Sequence, residues 1–184
     1  GSNAIRFQVT NVMTYEGQHY FKRLEYVRFP LRLGHDVFQH KRIGPEQEDK
    51  FIRLMNAFKI LIDLYEVDKY YACATSAMRE SQNGREIVEK VKQLFGLKIN
   101  IISGDREAEL INRVVMEKLA KGTFLHIDVG GGSTELNLIR DGRKVKSESF
   151  KIGSVRTIQS ASSKAVLKRM GQWIENQIVG HKGS

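Results

Sequence analysis

The sequence predicts an α/β fold built in two halves, and three observations carry that expectation. Runs rich in β-branched and aromatic residues alternate with stretches whose apolar residues recur at three- and four-residue steps. From residue 123 the pattern restarts with hairpin-linked strands that lead into a helix. Gly/Ser turns stand at strand ends in both halves. The repeat is one of architecture, not of sequence. It divides the chain into a first domain at 1–122 and the start of a second at 123–184, with no low-complexity linker between them. A chain of 184 residues is long enough to bury a core.

Residues 5–13 (IRFQVTNVM) and 20–33 (YFKRLEYVRFPLRL) read as strands joined by a turn at Glu16-Gly17, with Pro30 marking an edge or a break. Gly44-Pro45 then opens a helix, proline suiting its first position. Phe51, Leu54, Met55, Phe58, Leu61, Ile62 and Tyr65 form that helix's apolar face. Residues 70–74 read as a strand entering TSAMRESQN. Asn83 is placed to cap a second helix, with Ile87, Val88, Val91, Leu94 and Phe95 on one face and Gly96 at its end. Residues 97–103 (LKINIIS) read as a strand, and a third helix follows with Leu110, Ile111, Val114, Val115 and Leu119 on one side. In the second half, 123–129 and 133–140 are strands around three glycines. Asp141-Gly142 signals a type I′ hairpin into a strand at 144–152. A helix at about 163–178 carries Val166, Leu167, Met170, Trp173 and Ile174.

Composition narrows the function classes. Apolar content of 41% and charged content of 28% are those of a soluble globular chain. No apolar run approaches the roughly 18–20 residues that span a bilayer, and the start does not read as a signal peptide. Cys73 stands alone, so a reducing cytoplasm is the expected compartment, and its apolar strand places it in the core. The formal charge of +9 and pI near 9.7 favour polyanionic partners. The basic residues are scattered, however, and no nucleic-acid-binding signature accompanies them, so nucleic acid is disfavoured as a partner. The five histidines show no metal-ligand spacing. Trp173 and Met170 read as helix packing.

Three stretches carry chemistry. In IDVGGGSTEL, a Gly/Ser/Thr turn between strands directs backbone N–H groups into one concave space, a nest for phosphate oxygens; a β-bulge or tight hairpin is the alternative. It is not a Walker A loop, since it lacks the Gly-Lys-Ser/Thr ending. Asp128 beside such a nest suits a metal ion such as Mg²⁺ better than a phosphate, or it forms the turn by bonding its own backbone. Glu135 shares a strand face with Ser133 and points either to the same site or to solvent. In ATSAMRESQN, Thr75, Ser76 and Arg79 can converge on an anion if the segment curls into a helix start. In ISGDREAELI, Asp105 and Glu107 suit a helix N-terminus electrostatically, and spacing alone asks nothing more of them.

Taken together, in this order and spacing, IDVGGGSTEL, ATSAMRESQN and ISGDREAELI closely resemble the exopolyphosphatase/guanosine pentaphosphate phosphohydrolase (Ppx/GppA) family. GSNAIRF looks like the end of that family's first phosphate loop, and LRLGHDV (31–37) resembles its following Arg-Leu-Gly strand. The resemblance implies an actin-like, RNase H-like (ASKHA) pair of α/β domains with the active site between them. It also implies hydrolysis of terminal phosphoanhydrides in polyphosphate or in guanosine penta- or tetraphosphate, with Mg²⁺ or Mn²⁺. By position, Glu107 matches the base that activates water, and Asp128 and Glu135 match acids tied to metal and catalysis. Gly130, Gly131, Gly132, Ser133 and Thr134 match the second phosphate loop. Ser2, Asn3, Ser76 and Arg79 match phosphate-binding positions of the first domain. The expected reaction is in-line attack of water, with Arg79 and the metal stabilising charge.

The resemblance further implies a family strand before Gly1 and more chain after Ser184, so truncation at both ends with an incomplete second domain is expected. It favours a native Gly-Ser-Asn over a cloning scar at residues 1–4. Arg106 stands where many members carry a second glutamate. A homodimer is compatible with the resemblance. A non-catalytic (p)ppGpp or polyphosphate sensor and an ATP-dependent small-molecule kinase of the same fold are the rival readings.

Overall fold

The computed structural model describes residues 2–116, 121–154 and 161–179. Gly1, Leu119 and His181, and the side chains of Val114 and Val115, lie outside the described set. The chain falls into two compact units, Gly1–Ile102 and Ser103–Ser184.

In the first unit, β1 (Ile5–Tyr15) and β2 (Gln18–Phe29) form a long antiparallel hairpin, with a bulge between Val9 and Thr10. Its turn is Glu16-Gly17, with φ of 49° and 73°. Both values are positive, as a type I′ turn requires, and glutamate there is tolerated rather than favoured. The hairpin's apolar base packs on α2 (Pro45–Leu64), with Phe7 stacked on Phe58 at 4.7 Å between ring centroids.

The second strand was expected to run to Leu33 but stops at Phe29. Pro30 offers no N–H to a ladder, and Arg32 turns the chain at φ 56° into a helix, α1 (Leu33–His40). That helix puts Leu33 and Val37 into the core, so LRLGHDV opens a helix here, not a strand. Pro45 occupies the first turn of α2, as its chemistry predicts.

The strands expected at 70–74 and 97–103 shrink to β3 (Cys73–Ala74) and β4 (Asn100–Ile101), paired in parallel. Ahead of the ladder the Tyr70 hydroxyl, not a backbone carbonyl, accepts the Lys98 N–H at 2.8 Å. Cys73 is exposed, not core; its strand neighbour Ala74 takes the buried position.

Two helices complete the first unit, α3 (Ser76–Glu80) and α4 (Gly84–Phe95); Gly96 closes α4 at φ 69° with its N–H on Lys92 O. Asn83 stands at the N-cap of α4 as expected, its carbonyl accepting from Ile87 N at 3.0 Å, but its side chain makes no capping bond. Its amide straddles the Ile43 backbone, accepting from Ile43 N and donating to Ile43 O, both at 3.0 Å. Leu94 is exposed despite its place in the apolar pattern. The core gathers Val37, Ile43, Phe51, Met55, Phe58, Ile87 and Val91.

The second unit opens with α5 (Gly104–Met116) and a three-stranded antiparallel sheet of β5 (Thr123–Val129), β6 (Thr134–Arg140) and β7 (Arg143–Phe150), in that order. Asp141 and Gly142, at φ 47° and 72°, make the expected type I′ turn. A final helix, α6 (Ala161–Val179), lays Val166, Met170, Trp173 and Ile174 against Leu136, Leu138, Phe150 and Ile152; Leu167 faces solvent. Among the described residues no helix is long and apolar enough to cross a membrane.

Candidate active site

In the first unit the expected phosphate-binding residues Ser2 and Ser76 come together. Their hydroxyls hydrogen-bond at 2.6 Å although 74 positions separate them, and they are 4% and 8% exposed. The segment carrying Ser2 and Asn3 is held through its backbone: Gly34 N donates to Ser2 O at 2.7 Å and Arg32 N to Asn3 O at 2.9 Å. A Cβ on Gly34 would lie 2.9 Å from Ser2 Cβ and from the edge of the Phe38 ring, so only glycine fits. Ser76 begins α3, and the half-buried Arg79 in the same helix donates from Nη1 to Ile102 O at 2.8 Å, which fixes the guanidinium's direction. A Cβ on Gly84 would sit 2.1 Å from Met78 O, so α4 can approach α3 only through a glycine.

In the second unit the strand register shows which residue stands beside Glu135. Asp128 on β5 and Glu135 on β6 are direct partners in the antiparallel ladder. Partners across a ladder share a face, with Cβ atoms about 4.5–5.5 Å apart. Both are half-buried. Glu135 therefore belongs with Asp128. The same face continues through His126, Asn137 and Ser147; Ser147 Oγ donates to Asn137 Oδ1 at 2.8 Å. His126 Nδ1 is buried and has no hydrogen-bond partner among the described residues.

Between the two strands, Gly130 N donates to Ser133 O at 2.8 Å and closes the glycine turn. The N–H groups of Gly131 and Gly132 have no acceptor among the described residues. Thr134 is buried, and its hydroxyl donates to Ile152 O at 2.7 Å.

Glu107 is half-buried in the first turn of α5. Ser103 caps that helix, its hydroxyl accepting from Arg106 N at 3.2 Å. Arg106 turns to Glu109, with Nη1 2.5 Å from Oε2; Arg113 reaches the other carboxylate oxygen at 2.7 Å. The hydrogen bonds from Arg106 and Arg113 hold the Glu109 carboxyl below its ordinary range. The positive charge at 106 is thus engaged by a carboxylate one turn along.

Sequence reasoning missed Gly34 and Gly84. Neither takes a positive φ: Gly34 is needed because the distant Ser2 segment comes close, and Gly84 because the Met78 carbonyl of the preceding helix does.

Two constellations of hydroxyl, guanidinium and carboxylate groups, each braced by glycines, meet a matching family. Residues 12–179 match the Ppx/GppA phosphatase family. The chain belongs to that family. A bifunctional 3-dehydroquinate synthase/phosphatase of Fusobacterium nucleatum is 33% identical over 162 residues, covering 85% of this chain and 24% of the relative. A guanosine-5'-triphosphate,3'-diphosphate pyrophosphatase of Vibrio cholerae is 26% identical over 135 residues, covering 72% of this chain and 27% of the relative. A crystal structure of an exopolyphosphatase from Cytophaga hutchinsonii superposes with a TM-score of 0.76 at 26% identity, covering 85% of this chain and 49% of that one. The chain therefore spans between about a quarter and a half of these Ppx/GppA relatives. Its fold class is the actin-like α/β class of the family.

Proposed function

We propose that the chain carries phosphate-binding and catalytic segments of a hydrolase that releases terminal phosphate from inorganic polyphosphate or pppGpp. The observation that carries the proposal is the Asp128–Glu135 pair at the mouth of a glycine turn with open N–H groups, in a chain that matches the Ppx/GppA family. Phosphoanhydride hydrolysis needs the terminal phosphoryl group held and its charge stabilised, and little else. The glycine-turn amides supply donors that approach an oxyanion closely, and the Arg79 guanidinium supplies a fixed positive fork. Glu107 takes the proton of the attacking water.

A divalent ion fits the donors present. Hard cations take carboxylate oxygens, and Asp128 and Glu135 offer two groups on one face. Among the described residues no cluster of three or more ligating side chains stands ready-made, so a bound ion would draw its remaining ligands from phosphate oxygens and water. Mg²⁺ or Mn²⁺ there would neutralise charge on the phosphoryl oxygens. A reducing cytoplasm suits the free, exposed Cys73 thiol.

The test is phosphate release by the protein that carries this chain, from long-chain polyphosphate and from pppGpp, with and without Mg²⁺. Release from at least one substrate, dependent on the ion, is expected. Tight binding of both with no release overturns the hydrolase reading in favour of a sensor.

A further inference from the structure

Residues 152–154, which follow β7, run against the back of the glycine turn. Ser154 N donates to Gly130 O at 2.9 Å, with Ser154 Oγ 3.4 Å from the same oxygen. At the other end of the turn, Ile152 O accepts the Thr134 hydroxyl. Gly153 sits buried between these two attachments. A Cβ there would lie 2.6 Å from Gly130 O and 2.7 Å from both the carbonyl carbon and oxygen of Gly131. All three atoms are backbone, so none can swing away as a side-chain tip could. Gly153 does not adopt a positive φ, so alanine meets no conformational objection at this position. Its only obstacle is space.

We infer that Gly153 is a positioning residue for the second phosphate loop: its missing side chain lets residues 152–154 pin both ends of the turn and so aim the Gly131 and Gly132 N–H groups. The inference rests on the phosphate-loop reading above and adds a residue from outside the motif. The physical argument is one of distance. Relieving a 2.6 Å contact against backbone requires the turn to move by most of an ångström, and a shift of that size redirects donors that must converge on one oxyanion.

The experiment compares the ¹⁵N-labelled 184-residue chain with its Gly153→Ala variant, first alone and then titrated with tripolyphosphate. Gly171→Ala serves as control, because a Cβ at Gly171 meets nothing within 4 Å. In the ligand-free spectra, G153A is expected to move the amide resonances of residues 130–134 while leaving the rest of the sheet in place. In the titration it is expected to weaken tripolyphosphate binding by at least roughly tenfold, with G171A like the wild type. Unmoved loop resonances in G153A overturn the inference, and so does unchanged affinity. A wild-type chain whose Gly131 and Gly132 amides ignore tripolyphosphate sinks the phosphate-loop reading instead, while the ligand-free spectra still decide the positioning role. If G153A does not fold, Thr134→Val cuts the same brace at its other end. It must then displace the loop amides and weaken binding, with Thr134→Ser restoring both; a wild-type-like T134V overturns the inference.

Discussion

Asp128 and Glu135 stand directly opposite each other on β5 and β6, one rung before the Val129–Thr134 pair that leads into the glycine turn. Two carboxylates in register on one face make a place where a divalent cation gains more than a monovalent one. Mg²⁺ is therefore expected to raise the melting temperature of the ligand-free protein. At a concentration tenfold above its Kd the linkage is worth about 1.4 kcal/mol. Asp128→Asn and Glu135→Gln should each remove most of that rise. Thermal melts of the three proteins with and without Mg²⁺ check this, and an undiminished rise in both variants would sink the metal assignment.

Glu107→Gln separates chemistry from binding. Glutamine keeps the side chain's length and leaves the first turn of α5 capped by Ser103, but it cannot accept a proton from water. Phosphate release should fall about 10²- to 10⁴-fold, the span usual for a lost general base. Tripolyphosphate affinity should stay within experimental error of the wild type. Single-turnover release measured beside calorimetric binding decides the matter; weakened binding with normal turnover of bound substrate refutes the assigned role.

Features governed by neighbours in the chain were legible before the structure. Asp141-Gly142 announces its own turn, and the three- and four-residue spacing from Phe51 to Leu61 announces α2, because local chemistry alone decides both. The face of Glu135 was not legible. It depends on which residue of β5 pairs with it, and a glycine loop separates the two strands. Gly34, Gly84 and Gly153 were invisible for a related reason. Each is glycine because another part of the backbone packs against it, distant in sequence for Gly34 and Gly153 and in the preceding helix for Gly84, and no positive φ betrays it. Cys73 and the LRLG stretch misled because apolar runs do not say which residue of a strand is buried or where a proline ends one.

The ion-paired Glu109 has a defined pH signature. Arg106 and Arg113 hold its carboxyl below the ordinary value of 4.5. A group with a depressed folded-state pKa contributes stability that is present above its unfolded pKa and lost as pH falls through the folded value. The group is exposed, so its effect on stability is slight; its titration is the better measure. Carbon-detected NMR should show Glu109 titrating below 4.5 in the wild type and moving up in Arg106→Ala and in Arg113→Ala. A Glu109 that titrates alike in all three proteins refutes the pairing.

Asn83 offers the sharpest stability prediction. It is 2% exposed, and its amide gives the Ile43 backbone both an acceptor and a donor, as a neighbouring strand would. Ser81 Oγ also lies 2.6 Å from Asn83 Oδ1. Asn83→Ala leaves the Ile43 N–H and C=O without these partners, at about 2–4 kcal/mol in total. Asn83→Asp keeps the shape and the acceptor but sets a carboxylate oxygen where the Nδ2 donor stood, facing Ile43 O. It should therefore destabilise at neutral pH as well, and recover in part when the carboxyl is protonated in mild acid. Urea denaturation at pH 7 and pH 4.5 separates these cases. An Asp variant as stable as the wild type at pH 7 shows that the donor half of the pair contributes nothing.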